Sequence, residues 1–295
     1  MKLRMLPLVG LLLAMVLSGC GAEGGASTTS SALATTSTTG PVTTPTTPPD
    51  DVGLAVYFFL GPVDGSRDAS LVPVYRALSA DGDPIGAAME ALLVGPTDDE
   101  LAGIPAITSA IPAGTTVLSV EVAGTLARVD LSAEFDDGGG SASMFARLAQ
   151  VVYTATRVDG VDRVEFLIEG QTVEVFSSEG IELDGPQSRA DYYDQLPAVF
   201  VDEPAWGEPV VSPLVVRGLS NVFEAVSQVM LTDDDGLPLF EGTVMATCGT
   251  GCWGEWEIEI PFAVDREQFG ALIVWVFSAQ DGSRVDVREY AIRLR

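Results

Sequence analysis

The sequence lacks the side chains on which most enzyme mechanisms depend. Its 295 residues include no histidine, and the only lysine is Lys2, which lies in a segment predicted below to be removed. Ser–His, Cys–His and Ser–Lys mechanisms and lysine Schiff bases are therefore excluded from the mature chain. Imidazole, a common ligand of zinc and copper, is missing as well. We expect no cofactor and no metal site.

Basic side chains are also scarce. The chain has 15 Lys and Arg against 42 Asp and Glu, which gives a formal net charge of −27. This balance disfavours nucleic acid and anionic membrane surfaces as partners, and it permits cationic protein surfaces or divalent ions. The abundant acids leave one enzymatic class open, because a glycosidase needs only two carboxylates about 5–10 Å apart.

Two acidic stretches have the composition of ligand sites. Asp136 and Asp137 precede three glycines (138–140), and a glycine loop that opens a helix can bind phosphate. Adjacent aspartates repel phosphate, however, and neither GxGxxG nor a Walker lysine is present, so we predict a flexible strand-to-helix loop. The second stretch, 233–236, reads Asp-Asp-Asp-Gly and lacks the spacing of a calcium loop, so we predict a hairpin turn.

The N-terminus has the order of a secretion signal. Lys2 and Arg4 precede an apolar run (6–17) that ends in Leu-Ser-Gly-Cys at Cys20. This ending resembles the lipobox of bacterial lipoproteins, which implies cleavage after residue 19 and lipidation of the Cys20 thiol. A plain signal peptide is the alternative. We predict a signal peptide at 1–19, a disordered Thr/Ser/Pro-rich linker at 20–52 and an extracytoplasmic protein anchored to the cell membrane by lipid.

Lipidation of Cys20 leaves two of the three cysteines, Cys248 and Cys252, in a compartment that permits disulfides. Two thiols cannot complete a tetrahedral zinc site, and three residues separate them where a redox motif has two. The intervening Gly-Thr-Gly fits a three-residue hairpin loop, so we predict a local disulfide. Trp253 and Trp256 follow at a spacing that places them on opposite sheet faces, one in the core and one as a contact residue.

The remaining sequence predicts two folded regions. Residues 53–183 alternate strand and helix patterns in the order β-β-α-β-β-α-β-β, which is typical of an α+β domain. Its first helix begins after an Asp N-cap at Asp83, and Thr97 with Glu100 forms a capping box. Residues 209–295 have only short strand patterns separated by turns, which indicates a β-sandwich. The polar, proline-containing stretch 184–208 is predicted to be an inter-domain linker.

Both regions resemble known families. Residues 111–176, with Ile-Pro-Ala-Gly at 111–114 and Val-Asp-Leu-Ser at 129–132, resemble the GerMN domain, named for a spore-germination protein. Residues 209–295, with Trp-Gly-Glu-Trp at 253–256, resemble the immunoglobulin-like Gmad2 domain. The resemblance implies two non-catalytic interaction modules.

We therefore expect a non-enzymatic cell-envelope lipoprotein whose two modules bind an envelope protein or a cell-wall polymer. Its role would lie in sporulation, germination or envelope assembly. The alternatives are a carboxylate-based cell-wall or glycan hydrolase, and an accessory lipoprotein of a sensor kinase.

Overall fold

The computed structural model describes residues 52–61, 69–78 and 83–295. Cys20, the predicted signal peptide and nearly all of the predicted linker therefore lie outside the described residues. The described residues belong to one compact unit, Pro48–Arg295. Within them, no helix is long and apolar enough to cross a membrane.

The N-terminal module has the predicted α+β fold. Its helices and strands, in chain order, are β1 Val52–Leu60, β2 Ser70–Leu78, α1 Pro84–Val94, α2 Asp98–Ala102, β3 Ile107–Thr108, β4 Val117–Ala123, β5 Leu126–Leu131, α3 Ser141–Ala155, β6 Arg163–Ile168, β7 Gln171–Thr172, β8 Val175–Phe176 and β9 Ile181–Glu182. One sheet has the order β2-β1-β3, a second has the order β4-β5-β6-β7, and β8 pairs with β9. Helix α3 connects the parallel strands β5 and β6 and packs on both β1 and β6. It is therefore buried on almost all sides.

The predicted helix starts are confirmed in this module. The side chain of Asp83 accepts a hydrogen bond from the amide of Gly86 and begins α1. Thr97 and Glu100 form the reciprocal capping box that begins α2. In both cases a side-chain oxygen satisfies an amide that has no partner within the helix, which explains why the signal is readable in the sequence.

The C-terminal module is a sandwich of two β-sheets, as predicted. Its strands are β10 Val199–Glu203, β11 Pro209–Val210, β12 Leu214–Ser220, β13 Val226–Thr232, β14 Pro238–Met245, β15 Gly254–Ile260, β16 Gln268–Phe277 and β17 Arg284–Leu294. A three-stranded sheet, β10-β12-β15, faces a five-stranded sheet, β11-β17-β16-β13-β14. Alternate residues of each strand enter the core between the sheets; Val216, Val229 and Leu272 are examples.

The stretch predicted to be a linker, 184–208, contains regular structure. It includes the 3-10 helix Arg189–Gln195 and strand β10, whose residues 199–201 are fully buried. Strand β10 pairs with β12 and so forms the edge of the sandwich. Domain limits at 183 and 209 remain a prediction, but this segment is packed against both modules.

Candidate functional site

The predicted cysteine pair lies in a tight loop. The sulfur atoms of Cys248 and Cys252 are bonded, and their Cα atoms are 5.9 Å apart. The amide of Gly251 donates to the side chain of Asn221 over 2.9 Å. This bond holds the loop against the connection between β12 and β13, in which Asn221 lies. The pair therefore stabilises a connection between two strands and offers no free thiol for chemistry.

The two predicted tryptophans differ in burial. Trp256 is buried in the sandwich core, beside Gly218 of the neighbouring strand. A Cβ atom at Gly218 would lie 2.6 Å from the Trp256 ring, so glycine makes room for the indole. Trp253 is half-buried, and its ring centroid lies 5.4 Å from that of Tyr193 in the 3-10 helix. Trp253 thus packs within the chain, between the disulfide loop and the segment joining the modules.

The glycine loop before α3 is held by a buried arginine. Arg147 is 2% exposed and donates to the backbone carbonyl oxygens of Phe135 at 2.6 Å and Gly138 at 3.0 Å. Burial raises the pKa of Asp136 above its ordinary value, while Arg147 opposes this. The arginine donors are directed to carbonyl oxygens of the loop itself, so the loop is a structural connection.

The Asp-Asp-Asp-Gly stretch forms the predicted hairpin turn. Asp233 accepts hydrogen bonds from the amides of Asp235 and Leu237, at 3.0 and 2.8 Å, and Asp234 pairs with Arg266 at 2.7 Å. Across the part of the chain that the structure describes, no group of three or more acidic or cysteine side chains is arranged to hold a metal ion.

A polar network that the sequence patterns do not predict lies where the two modules meet. We call this region the joint, meaning residues 184–210 and the side chains that they contact. Arg189 donates to Asp202 and to the Thr156 hydroxyl, both over 2.8 Å. Its guanidinium also lies over the rings of Tyr57 and Tyr153, at 5.3 and 4.8 Å from their centroids. The Tyr57 hydroxyl donates to Asp202 and closes the network.

Burial and neighbouring charges together set the pKa values in the joint. Burial raises the pKa of both Tyr57 and Tyr153, so both hydroxyls stay protonated at neutral pH. Burial alone would lower the pKa of Arg189, but the neighbouring Tyr57 and Asp202 raise it overall. A permanently charged arginine is therefore matched by one carboxylate and two aromatic faces, which compensates for the loss of water.

Backbone hydrogen bonds join both modules to the same segment. Trp206 exchanges two bonds with β2: Tyr75 N–H donates to the Trp206 carbonyl at 2.9 Å, and Trp206 N–H donates to the Pro73 carbonyl at 2.8 Å. The next residue, Gly207, donates to the carbonyl of Ala291 in β17 at 2.7 Å. One short stretch is thus bonded to a sheet of each module.

An ion-pair chain crosses the joint at the surface. Glu203 of β10 accepts from Arg157, after α3, at 2.6 Å and from Arg217 of β12 at 2.8 Å. Arg217 also pairs with Glu257 of β15 at 2.7 Å. Burial would raise the pKa of Glu203, but its two arginines lower it overall. These ion pairs link the end of the N-terminal module to two strands of the sandwich.

A cleft of about 430 Å³ opens beside these ion pairs. Its lining includes Tyr75, Arg157, Glu203 and Glu208. Burial raises the pKa of Glu208, whose carboxylate accepts the amide of Ala205 at 2.8 Å. Two acids with opposite pKa shifts in one cleft are what a carboxylate hydrolase would require. Here, however, Glu203 is engaged by two arginines and Glu208 by the backbone, so both acids take part in the joint.

Two family models match the sequence. Residues 55–174 match the Germane model, described as sporulation and spore germination. Residues 198–283 match the Gmad2 model, described as an immunoglobulin-like domain of bacterial spore germination. The second match begins at the start of β10, ahead of the predicted limit at residue 209.

Several solved structures are similar to this chain. The first GerMN domain of the sporulation protein GerM from Bacillus subtilis is 21% identical, with a TM-score of 0.40, and covers 48% of this chain and 99% of its own. The tandem GerMN domains of that protein are 16% identical, with a TM-score of 0.41, covering 71% and 61%. A candidate lipoprotein from Clostridium perfringens is 19% identical, with a TM-score of 0.34, covering 48% and 89%. Among curated proteins, none matches the sequence significantly.

Proposed function

We propose that this chain, in which a Germane domain is followed by a Gmad2 domain, is a non-enzymatic cell-envelope lipoprotein that presents both domains as one rigid binding body. The family descriptions link both domains to sporulation and germination and name no reaction. The mature chain lacks histidine and lysine, so nucleophilic and imidazole-metal mechanisms lack a component.

The joint is the observation that carries this proposal. Arg189, Asp202, Tyr57 and the backbone of Trp206 hold two modules in one arrangement. A binding surface that is already ordered loses less conformational entropy when it meets its partner. An arrangement of this kind suits a protein that contacts a partner with both modules together.

The lipid anchor is part of the same proposal. The sequence Leu-Ser-Gly-Cys at the end of a short apolar run supports lipidation at Cys20. A Cys20→Ala variant is expected to leave the membrane fraction or to accumulate unprocessed. Normal processing with unchanged membrane retention would contradict the anchor.

The partner that we propose is an envelope protein or a cell-wall polymer. With a net charge of −27, the chain steers basic surfaces towards itself, and salt screens that attraction over about 10 Å at 0.1 M. Full-length protein extracted in detergent should recover a partner from native envelopes at low salt and lose it at high salt. Assays on peptidoglycan, glycans and esters should show no turnover.

A second function, a carboxylate hydrolase, is favoured by one observation, the pair Glu203 and Glu208 in the cleft. A Glu208→Gln variant distinguishes the two. Turnover by the wild type that disappears in a folded Glu208→Gln variant would replace the binding proposal with the enzymatic one. A binding protein keeps its partner and shows no turnover in either form.

A further inference from the structure

The outer face of the five-stranded sheet carries a tryptophan that is buried outside the core. Trp275 of β16 lies opposite Gln228 of β13. Directly opposite residues of paired strands point to the same face, and both neighbours of Gln228, Ser227 and Val229, are fully buried in the sandwich. Trp275 therefore points away from the core, yet its side chain is 0% exposed.

An arginine and a phenylalanine cover this tryptophan. The guanidinium carbon of Arg284 lies 4.2 Å from the Trp275 ring centroid, and the Phe277 ring meets it edge-on at 6.2 Å. Phe277 itself is 53% exposed. We call Trp275, Phe277 and Arg284 the Arg284 patch.

The positive charge of Arg284 is not paired with a carboxylate among the described residues. In the described part of the chain, no carboxylate lies within ion-pair distance of Arg284, whereas Arg293 of the same strand pairs with Glu267 at 3.7 Å. The cation–π contact places the Arg284 guanidinium over the Trp275 ring, and because Arg284 is exposed its N–H groups are open to a ligand. Such an edge matches a carboxylate in a two-point contact, and the exposed Phe277 ring beside it suits an apolar side chain.

The strand that carries Arg284 also has an open edge. Among the described residues, β17 pairs with β16 on one side, but β11 covers its other side only at residues 293 and 294. The backbone bond from Gly207 reaches Ala291, so residues 284–290 meet no strand on that side. The left-handed residue Asp286 interrupts this edge. An extended polypeptide can therefore pair through its backbone with residues 287–290 and reach Arg284 with a side chain.

We propose that the Arg284 patch docks an extended polypeptide segment in which one Asp or Glu is flanked by apolar side chains. The carboxylate pairs with Arg284, an apolar side chain covers Phe277, and the backbone lies along the free edge of β17. A single carboxylate within the segment is compatible with a partner that is basic elsewhere. The inference rests on the proposed function, since it names the partner chemistry of a binding protein.

The chain provides its own control for this patch. Phe269 lies eight residues before Phe277 in β16, about 27 Å away along the strand. Phe269 is 60% exposed and is covered by Arg293 at 5.4 Å, so it repeats the arginine–aromatic pair with a carboxylate already in place. Variants Arg293→Glu and Phe269→Ser therefore change charge and apolar area in the same way without touching the patch.

The test uses fluorescein-labelled heptapeptides with a central Glu and alternating Thr and Val, Leu, Phe or Tyr, titrated into the full-length protein in detergent. Arg284→Glu and Phe277→Ser should each weaken the best peptide about tenfold, and the two control variants should leave it within about twofold. Gln in place of the central Glu should weaken wild-type binding to a similar extent. A central Arg should restore binding to the Arg284→Glu variant.

Several results would overturn the proposal. These are no binding by any peptide, equal losses in patch and control variants, or tighter binding of polyglycerol phosphate than of peptide. Self-association in sedimentation that Phe277→Ser abolishes would assign the patch to a second copy. An envelope partner that Arg284→Glu recovers as well as wild type would exclude the patch and leave the proposed function intact. Turnover of a wall substrate would instead overturn the proposed function.

Discussion

Arg147 and Arg189 direct their charges to groups of the chain itself. Arg147 donates to the carbonyl oxygens of the glycine loop, and Arg189 to a carboxylate, a hydroxyl and a carbonyl at the joint. An arginine can serve several acceptors because its guanidinium has five N–H donors in one plane. These two residues therefore order segments whose composition alone indicates loops.

Removal of the Arg189 charge should destabilise the protein strongly. Arg189→Met leaves Asp202 and the Tyr57 hydroxyl without their cation, which we expect to cost about 3 kcal/mol of unfolding free energy. The matched control is Arg266→Met, which breaks an exposed pair with Asp234 and should cost less than about 1 kcal/mol. Urea unfolding measures both. Equal losses would show that the joint network contributes no more than a surface ion pair.

The two acids of the cleft should respond to pH in opposite directions. Burial raises the pKa of Glu208, so its favourable contribution is present below its unfolded-state pKa and is lost as pH rises through the folded-state value. Glu208→Gln should therefore gain stability relative to wild type as pH rises. Arginine contacts lower the pKa of Glu203 overall, so its contribution is present above the unfolded-state pKa and is lost as pH falls through the folded-state value.

Glu203→Gln is accordingly the control for that experiment. It should be least stable relative to wild type at neutral pH, and the difference should shrink as the solution is acidified. Urea midpoints between pH 3 and pH 8 compare both variants with wild type. A Glu208→Gln variant that loses stability relative to wild type as pH rises would show that ionised Glu208 is stabilised at the joint.

At the scale of elements, local signals were readable and long-range ones were not. The N-caps at Asp83 and Thr97 involve residues three apart, so the sequence predicts them, and both are confirmed. Strand β10 lies in a stretch rich in proline and acid. Its partner β12 and the Tyr290 hydroxyl, which accepts from Val201 N–H at 3.3 Å, are visible only in the folded chain. The sequence does not predict the joint either, because its contacts also join residues that are far apart along the chain.

The disulfide loop is an element whose contribution should be small. A bridge that closes a loop of three residues removes little chain entropy, so Cys248→Ser with Cys252→Ser should cost about 2 kcal/mol or less. Because Trp253 packs on Tyr193, the loss should also alter tryptophan fluorescence near the joint. Alkylation of denatured, unreduced protein should modify neither cysteine. Two alkylated cysteines in protein taken directly from envelopes would contradict the disulfide.

At the scale of the whole molecule, the two domains share one interface of side chains and backbone. The ion-pair chain through Glu203, the Arg189 network and the bonds of Trp206 lie at successive positions along one segment. The segment is bonded to β2 in the first domain and to β17 in the second. Movement of one domain against the other would therefore break hydrogen bonds in each. We therefore expect a fixed angle between the domains in solution.

The distance between spin labels on the two domains tests this expectation most directly. Glu90 of α1 and Glu241 of β14 are exposed, so cysteines placed there accept labels without disturbing the core. Electron–electron resonance should give one narrow distance distribution for the wild-type background and a broad one after Arg189→Met. A broad or multiple distribution in the wild-type background would contradict the account of two domains presented as a single rigid body.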